Sequence, residues 1–153
     1  MLEPGGASVV IADQAIRTMM RFRQTGSMQK EAGGQLFGYF DGFRTTVVEA
    51  TRPKWLDRRG RAIFLPNRWL QHWEIRKRYA QGLHFIGDWH THPEKIPHPS
   101  TVDLQNMTEC FDRSVHELNA FIMIIVGTAL PPEGLHVSLI KKGAVLTMVP
   151  DDL

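Results

Sequence analysis

Gly87 to Asp103 reads G-D-W-H-T-H-P-E-K-I-P-H-P-S-T-V-D, and this stretch decides what the chain around it must be. His84 to His92, rich in aromatic and β-branched residues, predicts a strand. Pro93, Pro97 and Pro99 forbid regular structure up to Ser100. A helix should then start at Ser100 or Thr101, with Leu104, Met107 and Phe111 on one face. Side chains two apart on a strand share a face, so His90 and His92 can reach one metal ion. Asp103 falls in the first helical turn, where the positive end of the dipole favours an ionised carboxylate. Two imidazoles and one carboxylate suit Zn2+. Three protein ligands leave the fourth tetrahedral position open, which marks a catalytic rather than a structural site.

Zinc acidifies a bound water, but a carboxylate outside the ligand set must still take its proton and pass it to the leaving group. Glu31, in E-A-G-G, is the candidate base, with Gly33 and Gly34 letting backbone and substrate approach closely. Ser100 precedes Asp103 by three residues, so its hydroxyl can face the metal and donate to an oxyanion.

Working outward, Ser8 to Ile11 predicts a short strand, and Asp13 an N-cap for a helix to about Gln24, ended by Gly26. Ile16, Met19 and Met20 share a face of it. Leu36–Tyr39 and Thr45–Ala50 read as strands around an Asp41-Gly42 turn, and Lys54–Arg61 as a charged loop. Pro66 opens a helix to about Ala80, closed by Gly82, with Trp69, Leu70 and Trp73 as its buried face. Phe121–Gly127, His136–Ile140 and Val145–Val149 complete the strands. The irregular alternation predicts one α/β or α+β domain over residues 1–153 with a mixed sheet.

Composition agrees. A chain of 153 residues, 42 % hydrophobic and 22 % charged, can bury one core without disulfides. A net charge of +2 argues against a nucleic-acid partner. The lone Cys110 permits no internal disulfide and fits a cytoplasmic protein. No signal peptide is expected from Met1 to Ile11, and the apolar run Ala120–Val126 is too short for a membrane span.

His-x-His, seven residues, Ser, two residues, Asp, with Glu before Gly-Gly upstream, resembles the JAMM (MPN-plus) metallopeptidases over nearly the whole chain. The resemblance makes His90, His92 and Asp103 the zinc ligands, Ser100 the oxyanion donor and Glu31 the base; Pro93 matches the proline after the second histidine. It implies a curved mixed β-sheet flanked by helices, and cleavage of isopeptide bonds at the flexible C-terminal tail of a conjugated protein. The wording G-D-W-H-T-H-P-E-x-x-P-x-P-S is similar to the bacterial branch found in anti-phage operons. In CBASS operons the substrate is a cGAS-like nucleotidyltransferase conjugate; in a sister system it is a bacterial ubiquitin-like protein. The branch usually has Glu at the position of Asp88 and Thr or Ser at that of Ala32, neither of them a ligand or the base.

Plainer readings stand beside these. A lone His-x-His pair is more often incidental than metal-binding, and a barrel amidohydrolase with the same pair needs roughly 250 residues. Ser100 could simply cap a helix, and Glu31 alone would be a surface residue. A non-catalytic scaffold of the same fold would lack ligands or the base, yet all five positions are present. His98 is expected to be exposed, Trp89 to pack behind the histidines and support them, and Cys110 to be a buried thiol. His72, His84, His116 and His136 carry no metal-like spacing. The clusters Arg58, Arg59, Arg61 and Arg76, Lys77, Arg78 read as solvated surface.

Overall fold

The computed structural model describes residues 6–26, 30–53, 58–59, 64–65, 68–114 and 118–151. Its centre is β7 (Phe121–Val126), F-I-M-I-I-V, buried at every position. A strand apolar on both faces must be covered on both. Phe121, Met123 and Ile125 face Met107 and Phe111 of α3 (Thr101–Arg113), while Ile122, Ile124 and Val126 face a second cluster with Ala15 and Met19 of α1 (Asp13–Met20).

Around β7 runs a seven-stranded sheet. It adds β1 (Ser8–Ile11), β2 (Gly33–Asp41), β3 (Arg44–Ala50), β6 (His84–Thr91), β8 (Leu135–Lys141) and β9 (Ala144–Thr147) in the order β1-β3-β2-β6-β7-β8-β9. The β1–β3 and β6–β7 pairs are parallel and the others antiparallel, so the sheet is mixed, as expected. Two-residue strands β4 (Arg58–Arg59) and β5 (Phe64–Leu65) pair separately, so part of the expected charged loop is a strand. The rest of Lys54–Arg61, with Pro66 and His116, lies outside the described residues.

A bulge decides the site. The β2 register jumps from Leu36↔Gly87 to Phe37↔Phe85, leaving Ile86 unmatched. Gly87 has φ +152, and a Cβ there would sit 1.8 Å from the Ile122 carbonyl oxygen, so only glycine fits. The extra residue resets the in–out alternation. Ile86 and Trp89 both enter the α1-side cluster, and Asp88 and His90 are left facing α3.

Several local expectations are corrected. Ala12, not Asp13, caps α1, which ends at Met20 rather than Gln24. Trp73 on α2 (Arg68–Tyr79) is 55 % exposed rather than buried. Arg78 is not solvated surface: it is buried and paired with Glu74 one turn back and with Glu49 at 2.6 Å. The last strand expected at Val145–Val149 is present as β9, over Ala144–Thr147.

Candidate metal centre

His90 and His92 project from the end of β6 toward the start of α3. His90 Nε2 lies 3.2 Å from His92 Nε2 and 3.2 Å from Asp103 Oδ1. His92 Nε2 lies 3.2 Å from Asp103 Oδ2. A tetrahedral ion with bonds of about 2.0 Å places its ligands about 3.3 Å apart, so these spacings suit one small divalent cation. The side chains are 13 %, 13 % and 16 % exposed, sheltered but not sealed from solvent.

Asp103 is held by its helix. Ser100 Oγ accepts the Asp103 N–H at 3.1 Å, and Asp103 Oδ2 accepts the Ser100 N–H at 2.8 Å, a reciprocal capping box. Burial alone would raise the Asp103 pKa. Hydrogen bonds from His90 and His92, the charge of His90 and the Ser100 N–H bring it well below the usual carboxylate range. The Ser100 cap uses only an oxygen lone pair, so the hydroxyl hydrogen is left to donate. For His92, burial pulls the pKa down. The Asp103 hydrogen bond, with the charges of Asp103, Glu31 and Glu94, raises it overall. A cation at that nitrogen competes with the proton for the same lone pair.

Glu31 comes from a distant part of the chain. Its carboxylate and the two imidazoles offer atoms that all lie within 4.8 Å of one another. By distance alone these three residues could also hold an ion. Burial raises the Glu31 pKa above its ordinary 4.5 and outweighs the lowering by His90 and His92; Asp103 raises it further. The residue after Glu31 is tied to β6 by Thr91, which the sequence reading overlooked. Thr91 sits between the two histidines and so points to the opposite face. Its Oγ1 accepts the Ala32 N–H at 2.9 Å and donates to Gln24 Oε1 at 3.0 Å, while its N–H meets the Ala32 carbonyl at 2.9 Å. The legible signal was a buried polar residue forced inward by strand alternation.

At Gly34 the backbone does approach closely, as expected: a Cβ there would lie 2.4 Å from the Thr51 carbonyl oxygen and 2.8 Å from the Trp89 indole nitrogen. Trp89 is buried as expected and donates Nε1–H to Thr51 O at 3.0 Å. His98 is 74 % exposed, also as expected. Cys110 is half-buried, and burial raises its pKa, which makes it a poor nucleophile. Among the described residues, no helix is long and apolar enough to cross a membrane.

Residues 13–139 match the family described as prokaryotic homologs of the JAB domain. The chain is 31 % identical over 123 residues to a protein named CD-NTase/cGAS isopeptidase from Escherichia coli strain TW11681, covering 78 % of this chain and 76 % of that one. A protein of the same name from Vibrio cholerae serotype O1 is 28 % identical over 123 residues, with the same two coverages, 78 % and 76 %. The solution structure of a Desulfitobacterium hafniense protein matches the fold with a TM-score of 0.65 at 22 % identity, covering 92 % of this chain and 89 % of that one.

Proposed function

Because this chain belongs to the prokaryotic JAB-domain family, we propose that it is a zinc-dependent isopeptidase of CBASS anti-phage defence. It hydrolyses the amide bond between the C-terminal tail of a conjugated cGAS-like nucleotidyltransferase and its target, in the cytoplasm. The names of the relatives support the reaction class and the substrate. The observation that carries the zinc reading is the contact of one ionised carboxylate with two imidazole nitrogens at 3.2 Å each.

His90, His92 and Asp103 hold the ion. Zinc bound there supplies Lewis acidity, polarising an amide carbonyl and acidifying a water. Glu31 takes the proton of the attacking water and gives it to the departing amine nitrogen. Burial raises its pKa, the direction that favours a proton shuttle, since the ideal shuttle titrates near the working pH. The Ser100 hydroxyl donates to the carbonyl oxygen as it gains charge. Thr91 keeps the Glu31 segment against β6 throughout.

The test is cleavage of a purified nucleotidyltransferase–target conjugate by the zinc-loaded protein, followed by mass spectrometry of the released tail. Cleavage should stop on chelation and return with zinc. An intact conjugate in the presence of zinc, or cleavage indifferent to chelation, would overturn the proposal.

A further inference from the structure

A ring nitrogen that binds a metal gives up its lone pair, so the ring proton must sit on the other nitrogen. His92 turns Nε2 toward His90 and Asp103. Its Nδ1 is then the nitrogen that carries hydrogen. That atom is shielded from solvent and has no hydrogen-bond partner among the described residues. A buried donor left without a partner is costly.

One carboxylate stands beside it. Glu94 Oε1 is 3.7 Å from His92 Nδ1, beyond hydrogen-bond length but within reach of a small side-chain rotation. The main chain there is anchored. The His92 N–H donates to Val126 O at 2.9 Å, Thr128 N–H to Glu94 O at 2.8 Å, and Ala129 N–H to Lys95 O at 3.3 Å. With the backbone tied to the end of β7 on both sides of Pro93, the Glu94 side chain alone has to move. At 52 % exposure it has room. Its other oxygen lies 3.8 Å from Nδ1 of the exposed His98, a contact that water largely screens.

Building on the metal reading above, we propose that Glu94 is the outer carboxylate of the centre, accepting the Nδ1–H of His92 and so holding Nε2 toward the ion. Metal-bound histidines regularly donate their second N–H in this way. Glu94 is a positioning residue and touches neither substrate nor the reacting atoms. Trp89, expected from sequence to support the histidines, lies on the opposite face of β6 and cannot make this bond.

The test measures zinc affinity by competition with a chromophoric chelator at one pH, for the wild type, Glu94→Ala and Glu94→Gln. Thermal midpoints of the metal-free proteins are measured alongside. Glu94→Ala should bind zinc about 10–100-fold more weakly. Glu94→Gln, whose amide oxygen can accept the same hydrogen, should recover most of that loss. The metal-free midpoints should coincide. Nitrogen-15 spectra of the zinc-loaded wild type should show His92 protonated at Nδ1. A Glu94→Ala protein that binds zinc as tightly as the wild type overturns this inference and leaves the metal centre standing. A fall in metal-free stability that accounts for the lost affinity overturns it in favour of a loop-holding role. A wild type that binds no zinc removes the metal reading, and this inference with it.

Discussion

The first turn of α3 and the segment before β2 each bring a carboxylate to the same pair of imidazoles, and they hold it in opposite ways. Asp103 is wrapped in donors: the Ser100 N–H and both histidine rings keep it ionised in spite of burial. Glu31 is dominated by its burial, which favours the protonated form. Two carboxyl groups with separated pKa values near one centre divide the labour of acid–base chemistry. The one that never takes a proton suits a cation; the one that can take a proton suits a shuttle. Environment, not residue type, assigns the roles.

The division can be broken from either side. Removing a ligand has the largest effect: His92→Ala and Asp103→Asn should each lose bound zinc, read by metal analysis of the purified protein, and cleavage should fall to background. Glu31→Gln comes next. It should keep its zinc and its fold, while kcat falls about 10²–10⁴-fold, the usual worth of a general acid–base group. The reverse pattern, zinc lost from Glu31→Gln and kept by Asp103→Asn, would mean that Glu31 is the ligand with the two histidines and that the roles were assigned the wrong way round.

Ser100 sharpens the comparison, because it caps α3 through an oxygen lone pair and keeps its hydroxyl hydrogen to donate. Ser100→Ala should lower kcat about 10²–10³-fold if the hydroxyl donates to the oxyanion. It should also cost about 1 kcal/mol of stability through the lost cap. Ser100→Gly gives up the same hydroxyl but only a few tenths of a kcal/mol of capping. Equal losses of kcat in the two variants, with unequal unfolding midpoints in urea, separate the catalytic role from the cap. A rate that tracks stability instead would leave Ser100 a cap alone.

How legible these features were depended on how local their causes are. His90, His92, Ser100 and Asp103 sit within one strand–turn–helix, where alternation and capping rules act on near neighbours, and all four were placed by sequence. The apolar run of β7 announced a strand covered on both faces in the same way. Thr91 holding Ala32 spans 59 positions, and no local rule reports such a bond. The bulge at Ile86 arises from a mismatch with β2, so the sequence of β6 alone could not show which face the histidines would take. Trp73 and Arg78 on α2 exchanged their expected environments for a related reason. Glu49, on a different strand, draws the guanidinium inward, while the aromatic ring stays at the surface with Lys77 over it.

A third carboxylate on the same face offers the smallest and most specific test. Asp88 precedes His90 by two residues and faces α3. Its Oδ1 is shielded from water with no hydrogen bond among the described residues. Burial pushes its pKa up from 3.8 to about 7. In metal-free protein the folded state therefore keeps a proton that the unfolded chain has released between those values. Stability should fall as pH rises through that window and stay lower above it. A displacement of that size corresponds to about 4 kcal/mol at most, and partial solvent contact of the residue reduces it to about 1–2 kcal/mol. Asp88→Asn removes the titration, so it should unfold at higher urea than the wild type at pH 8 and lose that advantage near pH 4. Unlike Asp103, Asp88 meets no donor at Oδ1 among the described residues; unlike Glu31, it is not grouped with the imidazoles among them. Its replacement should leave kcat and zinc binding unchanged, and a large change in either would show that the centre draws on all three carboxylates rather than two.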